Sequence, residues 1–458
     1  MTHPNTKRNI FPKAQVRIEN EIRDRIQNSD LLVSSNAKAF LTGEYLIFHS
    51  GTSLLMGVNA RTLISFKFYN KSIASDAEEV NITRIYERDQ RGIFIDLTQR
   101  LTKDWIEIIK DSCIKWKDAL KKVLATIKHP LYNENMVRKI NDLCLDLFII
   151  SNIIIRGGLG SSAVFASLLA LATMHKLGIV SEKLTSKDRT LIFLVAILLE
   201  DAYHHGKRHV EDLKGIAGGF SVIPCIFPLE KGEIFQLDLT KFFELQKSEQ
   251  SQFKEIPIND FIQKIYQIKN LDLLGSPMIS TLKVNSDLLN HLYFTIYYSG
   301  TRTSTPKMIK NMSSQSKEFW DIYSLTFDQM SKISEVLVKR LQDNGHHSNL
   351  KEIKTLFDML QSNFNSLGIV PLNISRTMNE LNTKSNEKLY FGKVLGASGG
   401  GSFLLITTKP LDQNDEDIVF KYIPNAEKIA EDSLKVPSSG VIIHPVPLSK
   451  DFKLENYL

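Results

Sequence analysis

Three groups of residues have the types and spacing to do chemistry. The first is Ile153–Ala170, IIIRGGLGSSAVFASLLA. An apolar run there meets Gly157, Gly158, Leu159 and Gly160, then Ser161 and Ser162, then small and apolar residues. The predicted order is strand, glycine-rich loop, helix start. Glycines permit positive φ and let the backbone approach a ligand closely. Ser161 or Ser162 can cap the helix, and the N–H groups at such a helix start favour phosphate. A tight strand-to-helix turn with no ligand fits this stretch equally well when it is taken alone. The Gly-Lys-Ser/Thr ending of the common P-loop is missing. The second group is Gly392–Ile406, GKVLGASGGGSFLLI, a compact loop with Gly396, Ser398, Gly399 and Gly400. The third supplies charge. Lys38 and Glu44 lie in SNAKAFLTGEYLIF, and LVAILLEDAYHHGKRHVED holds Glu200, His204, His205, Glu211 and Asp212. Glu200 and His204 share one helical face at i, i+4.

Taken together, SNAKAFLTGEYLIF, GLGSSA and GASGGG resemble the three motifs of the GHMP kinases, a family of small-molecule kinases, in the family's order and at roughly its spacing. The first motif departs from the pattern, with Asn36-Ala37 where the family usually has Pro-Gly. The resemblance implies an α+β, two-domain architecture, with a ribosomal-S5-like N-terminal domain and a ferredoxin-like C-terminal domain. Residues 1–30 are then an N-terminal helical extension, 31–250 the ATP-binding domain and 251–458 the C-terminal domain. The implied ligands are ATP, Mg2+ and a small hydroxylated metabolite.

The resemblance also implies roles. The loop Gly157–Ser162 cradles phosphates, and the Gly396–Gly401 loop, Ser398 included, closes over them from the other domain. Ser162 and Glu200 hold the metal, Mg2+ being a hard cation that takes oxygen ligands. Lys38 contacts the substrate oxygen or the catalytic carboxylate. That carboxylate is Glu211 in the ungapped register. A second register uses His205, Gly206 and Asp212 and makes Asp212 the acid. The family's Pro-Ser-Gly before the acid is replaced by Arg208 and His209. Glu44 and Tyr45 match a Gly-Glu-His/Tyr pattern on the substrate side. Arg302 and Lys307, in SGTRTSTPKMI, could meet an anionic group, and Thr305-Pro306 reads as an N-cap and N1 pair. Within the family the details lean toward the mevalonate-kinase branch, with phosphomevalonate kinases next and sugar kinases third. A ligand sensor on a degenerate kinase fold is the reading from another class.

Composition sets outer limits. The chain has 458 residues, 43% hydrophobic and 24% charged, with a formal net charge of +6. This is an ordinary globular balance, and the length suggests two or three domains' worth of core. The positive charge is diffuse, without a basic block interleaved with aromatics, which suits an anionic ligand rather than nucleic acid. Cys113, Cys144 and Cys225 are far apart and form no CxxC pair, so core packing is expected rather than a metal or disulfide framework. No apolar run reaches the about 18 residues of a membrane span, and no secretory leader is evident. A cytoplasmic protein without a membrane partner is the expectation.

The elements that must position these groups follow from periodicity. Residues 1–12 read as disordered. Ala14–Ser29 has Val16 or Ile18, Ile22 and Ile26 at helical spacing, for packing or a homodimer contact. Leu31–Ser34 and Ala39–Phe48 read as paired strands, and Thr62–Tyr69 as another. Leu101–Ile127, Asn133–Leu147, Ser161–Leu177 and Arg189–His204 read as helices, and Ile216–Ile226 as a strand. The charged stretch Phe242–Gln252 reads as an inter-domain linker. Leu289–Tyr298 is a buried strand, Lys317–Asn344 and Asn349–Leu367 are long helices, and Lys393–Thr408 is a glycine-interrupted strand pair. Strands, then helices, then strands again argue α+β.

Overall fold

The structure is a computed structural model. It describes residues 12–46, 51–71, 80–89, 92–98, 103–155, 157–204, 210, 213, 219–238, 240–241, 257–268, 272–302, 304–343, 347–384, 388–396, 399–446 and 454, the side chains of 12–14, 103–114, 347–348 and 384 excepted. The reading of residues 1–12 as disordered lies outside the described residues except at Pro12, which opens a helix instead; the reading of 242–252 as a linker and the Cys113 side chain also lie outside them.

Alternating side chains on the strands Leu31–Thr42 (β1), Thr52–Asn70 (β2), Val80–Arg88 (β3), Phe94–Asp96 (β4) and Leu143–Ser151 (β5) send apolar groups to both faces of one sheet. On one face Val33, Ile64, Phe66, Ile85, Leu147 and Ile149 join the main core. On the other, Leu32, Leu63, Tyr86, Phe94, Phe148 and Ile150 form a separate cluster. A period of two makes this partition unavoidable once the register is set. The helix α1 (Pro12–Gln27) covers the second cluster with Ile22 and Ile26, and with Ile18 at its edge. The N-terminal extension therefore packs on its own chain.

With Ile442–His444 as β12, the sheet runs β12-β1-β2-β5-β3-β4, with Glu233–Asp238 (β6) paired to β2 and Ile279–Lys283 (β7) paired to β6. Ile442–His444 (β12) returns from near the chain's end to pair with β1. Thus two strands of the first sheet come from beyond residue 250. Helices α2 (Lys103–Thr126), α3 (Glu134–Asp142), α4 (Ser161–Lys176) and α5 (Ser186–His204) follow the early strands. Both α4 and α5 are buried along almost their whole length; a helix apolar all round can be stable only there.

Beyond α5 the chain passes through the short helix α6 (Ile223–Ile226), α7 (Ile258–Tyr266) and α8 (Ser286–Asn290), with β6 and β7 between them, to the second sheet. That sheet has the order β11-β8-β10-β9, all antiparallel, from Tyr293–Tyr298 (β8), Tyr390–Val394 (β9), Ser402–Thr407 (β10) and Glu427–Glu431 (β11). The remaining helices are α9 (Thr305–Glu318), α10 (Trp320–Gln342), α11 (His347–Ser366), α12 (Leu372–Lys384) and α13 (Gln413–Tyr422). The mixed α+β class and the two-sheet organisation are as expected.

Four local expectations are corrected. Residues 31–42 form one strand, paired not with 39–48 but with β2. The helix expected over Asn133–Leu147 stops at Asp142, and Leu143 opens β5. The part of Ile216–Ile226 that is described, from Gly219, is helical rather than extended. Within Leu289–Tyr298, only Tyr293–Tyr298 is strand. No described helix is long and apolar enough to cross a membrane.

Candidate active site

The site is built where β1, the turn before α4 and the β9–β10 turn converge. The β1–β2 register shifts between Asn36 and Ala37. Such an irregularity re-aims the side chains that follow it, and Lys38 is the next residue. Its backbone N–H donates to Leu159 O at 3.1 Å, tying β1 to the first glycine loop. Asn36, which stands where the resembled motif has proline, accepts from Arg61 at 2.7 Å and from the Ser439 amide at 3.1 Å. Its side chain therefore braces the strand.

Gly160 is the N-cap of α4 at φ 75°, ψ 37°, so no side chain caps the first turn. A Cβ on Gly160 would sit 2.5 Å from Lys38 Cε and 2.8 Å from its Cγ. The lysine stem thus lies flat against the loop. The second loop lies on the first, backbone against backbone. A Cβ on Gly396 would be 2.9 Å from Gly158 O, and one on Gly401 would be 3.1 Å from Gly157 O. Ser402 Oγ donates to Gly157 O at 2.6 Å. Gly399 donates to Ile369 O and faces Met308, near the start of α9.

Glu200, in the last turn of α5, is the charged centre. Ser162 Oγ donates to its Oε1 at 2.9 Å, Ser221 Oγ does so at 3.4 Å, and His204 Nε2 lies 3.0 Å away. Burial pushes the Glu200 carboxyl up, but His204, the Ser162 hydroxyl and the Lys38 charge together hold it below its ordinary value. Among the described residues its Oε2 is buried without a hydrogen-bond partner. Burial pushes the Lys38 ammonium down, against the pull of Glu200 and Glu44.

Glu44 is buried, and its Oε1 is paired with the fully buried Lys393 of β9. Lys393 also donates to Phe40 O at 3.1 Å and to Val394 O at 2.7 Å. Burial leaves Glu44 above and Lys393 below their ordinary values despite the pairing. Tyr45 is buried too, which raises its hydroxyl pKa.

The structure thus brings together Lys38, Glu44, Gly157, Gly158, Leu159, Gly160, Ser162, Glu200 and Gly396; Ser161 opens α4 beside them, Tyr45 follows Glu44, and Gly399 and Gly400 continue the second loop, Gly399 against Met308. Arg302 is placed differently from an open anion contact: it donates to Ile155 O at 3.1 Å and lies 3.5 Å from Glu87. Ser304 rather than Thr305 is the N-cap of α9, with the proline in its first turn. His205, Glu211, Asp212 and Ser398 lie outside the described residues. The motifs give no role to Lys393. A lysine three residues before a glycine loop, inside an otherwise apolar strand, was the available signal.

The residues present fit a hard dication. Glu200 Oε2 is a buried oxygen with no partner among the described residues, and Ser162 Oγ, used as a donor, keeps lone pairs. Mg2+ commonly takes one or two protein oxygens and fills its shell with water and phosphate. Among the described residues, no group of three or more His, Cys, Asp or Glu could hold a metal alone.

No known family's sequence pattern matches the chain, and no curated protein matches it. Solved structures do. Galactokinase from Lactococcus lactis, complexed with galactose, is 13% identical with a TM-score of 0.52, over 94% of this chain and 99% of its own. Mevalonate kinase of L. major, in complex with R-mevalonate, is 13% identical with a TM-score of 0.50, over 89% and 96%. A Lin0012 protein from Listeria innocua is 14% identical with a TM-score of 0.51, over 90% and 99%. The chain has the two-domain α+β fold of the GHMP kinases.

Proposed function

We propose that the chain is an ATP-dependent kinase that phosphorylates a hydroxyl, or a phosphate, of a small metabolite. Mevalonate is the first candidate substrate, phosphomevalonate the second and a sugar the third. The observation that carries the reading is the stacking of the two glycine loops beside Lys38, Ser162 and Glu200. A backbone cradle next to an ammonium, a hydroxyl and an ionised carboxylate is the equipment phosphoryl transfer needs.

In this reading the first loop and the start of α4 hold the phosphates, and the second loop lies over them. Ser162 and Glu200 would hold Mg2+, which when bound neutralises charge on the phosphates. Lys38 orients the attacking oxygen or the acid that takes its proton. Glu211 is that acid in one register and Asp212 in the other. The bracing of Asn36 by Arg61 and Ser439 gives the departure from the first motif a structural role, which favours a working site over a degenerate sensor.

The test is a coupled assay of ADP release against mevalonate, phosphomevalonate and a sugar panel, alongside ATP calorimetry. Substrate-dependent ADP release is expected with one of them. A folded protein that binds no ATP would falsify the kinase reading. Glu211→Gln and Asp212→Asn then separate the registers: loss of the general base lowers the rate by about 10²–10⁴, and the other change should be nearly silent.

A further inference from the structure

Lys393 has three N–H bonds and three acceptors, namely Glu44 Oε1, Phe40 O and Val394 O. It is completely buried, and its Nζ also lies 5.1 Å from the centre of the Phe364 ring. Burying an ammonium is costly unless every proton is taken up, and a buried ion pair is often no more stable than an apolar replacement. Stability alone therefore gives little reason for the lysine. Its acceptors give a better one.

Phe40 is two residues from Lys38 on β1. Its carbonyl receives Lys393, while its ring lies 4.6 Å from Lys38 Nζ. Glu44, a second acceptor, interacts electrostatically with both lysines. Three residues beyond Lys393, Gly396 touches Gly158. One short segment of the second sheet thus fixes both the strand that carries Lys38 and the loop that Lys38 lies on.

We propose that Lys393 is a positioning residue: through Phe40 and Glu44 it sets where the Lys38 ammonium stands over the first glycine loop. The device couples the second sheet to the reactive group of the first. Its turnover arm rests on the kinase reading above, and its exchange arm does not.

The test is Lys393→Met, which keeps the length of the side chain and removes the charge. Turnover is expected to fall at least tenfold, while ATP affinity by calorimetry changes less than threefold. Hydrogen exchange at the Lys38 amide, which is bonded to Leu159 O, should accelerate at least tenfold, with amides in α13 unchanged. If Lys393→Met does not fold, Glu44→Gln with Lys393→Met leaves no unpaired charge and carries the same expectations. A folded variant with wild-type turnover overturns the proposal, whatever its exchange. If the wild-type protein phosphorylates nothing, the kinase reading has failed, and exchange at Lys38 decides alone: an unchanged rate overturns the proposal.

Discussion

The stem of Lys38 occupies the space that a side chain on Gly160 would need, with Lys38 Cε 2.5 Å from the Cβ position. Residues 122 apart in sequence are thereby fitted to one another, and the fit explains why a glycine stands at the start of α4. Gly160 also has φ 75°, a conformation that costs other residues roughly 1–2 kcal/mol. Gly160→Val should leave the protein folded by circular dichroism, since the strain is local. It should displace Lys38 and lower ATP affinity well over tenfold by calorimetry. Unchanged affinity in a folded variant would remove this loop from the nucleotide site.

Glu200 offers one satisfied oxygen and one with no partner among the described residues. Glu200→Gln keeps the shape and the bonds to Ser162 and His204 but removes the charge a cation would meet. Half-saturation by Mg2+ should rise more than tenfold, and the Michaelis constant of the phosphate acceptor should change much less. Mn2+ binding in the presence of ATP, followed by water-proton relaxation, reads the same loss without turnover. Ser162→Ala should shift it in the same direction by less. Normal metal dependence in Glu200→Gln would take Glu200 out of the site.

The glycine loops and α4 were legible because their signals are local: glycines at the turn, then a run of small apolar residues. The single strand β1 was not. Ser34, Ser35 and Asn36 interrupt its apolar pattern and read as a break, yet all three are buried. Their partners are remote: His444 and Arg61 for Ser34, Cys225 O for Ser35, Arg61 and Ser439 for Asn36. Polar residues look like loop in a sequence when the groups that satisfy them come from far along the chain. The boundary at Leu143 was hidden for a related reason. The apolar spacing of α3 passes without a breaker into β5, and only pairing with β2 ends the helix. Lys393 escaped notice because its meaning lies in Glu44 and Phe40.

His444 gives a pH dependence with a definite sign. It sits on β12 against Ser34, at 2.7 Å, and burial together with the nearby Arg61 charge lowers its pKa from 6.5 to about 4. Between those values the unfolded chain takes up a proton that the folded chain refuses. Stability therefore rises with pH through this window and is lost as pH falls from about 6.5 toward 4. His444→Gln retains a partner for Ser34 and does not titrate. Its melting temperature should be flatter than wild type across that window, by a few degrees at the acid end. Parallel curves for the two proteins would show that His444 does not carry the acid sensitivity.

Ile26 is fully buried on the sheet face opposite α4 and α5, one turn from Ile22 and two from Ile18. If α1 is there to close this face, removing one of its fully buried side chains must cost stability without touching the site. Ile26→Ala deletes buried methyl groups from the cluster of Leu32, Leu63, Phe148 and Ile150. Such truncations cost about 2–5 kcal/mol, depending on how far the neighbours collapse into the space. The denaturant midpoint should fall accordingly, with ATP affinity unchanged within twofold. Sedimentation should show no change of association state, because Ile26 spends its apolar surface within its own chain. A variant with wild-type stability and altered association would instead make α1 a contact between copies.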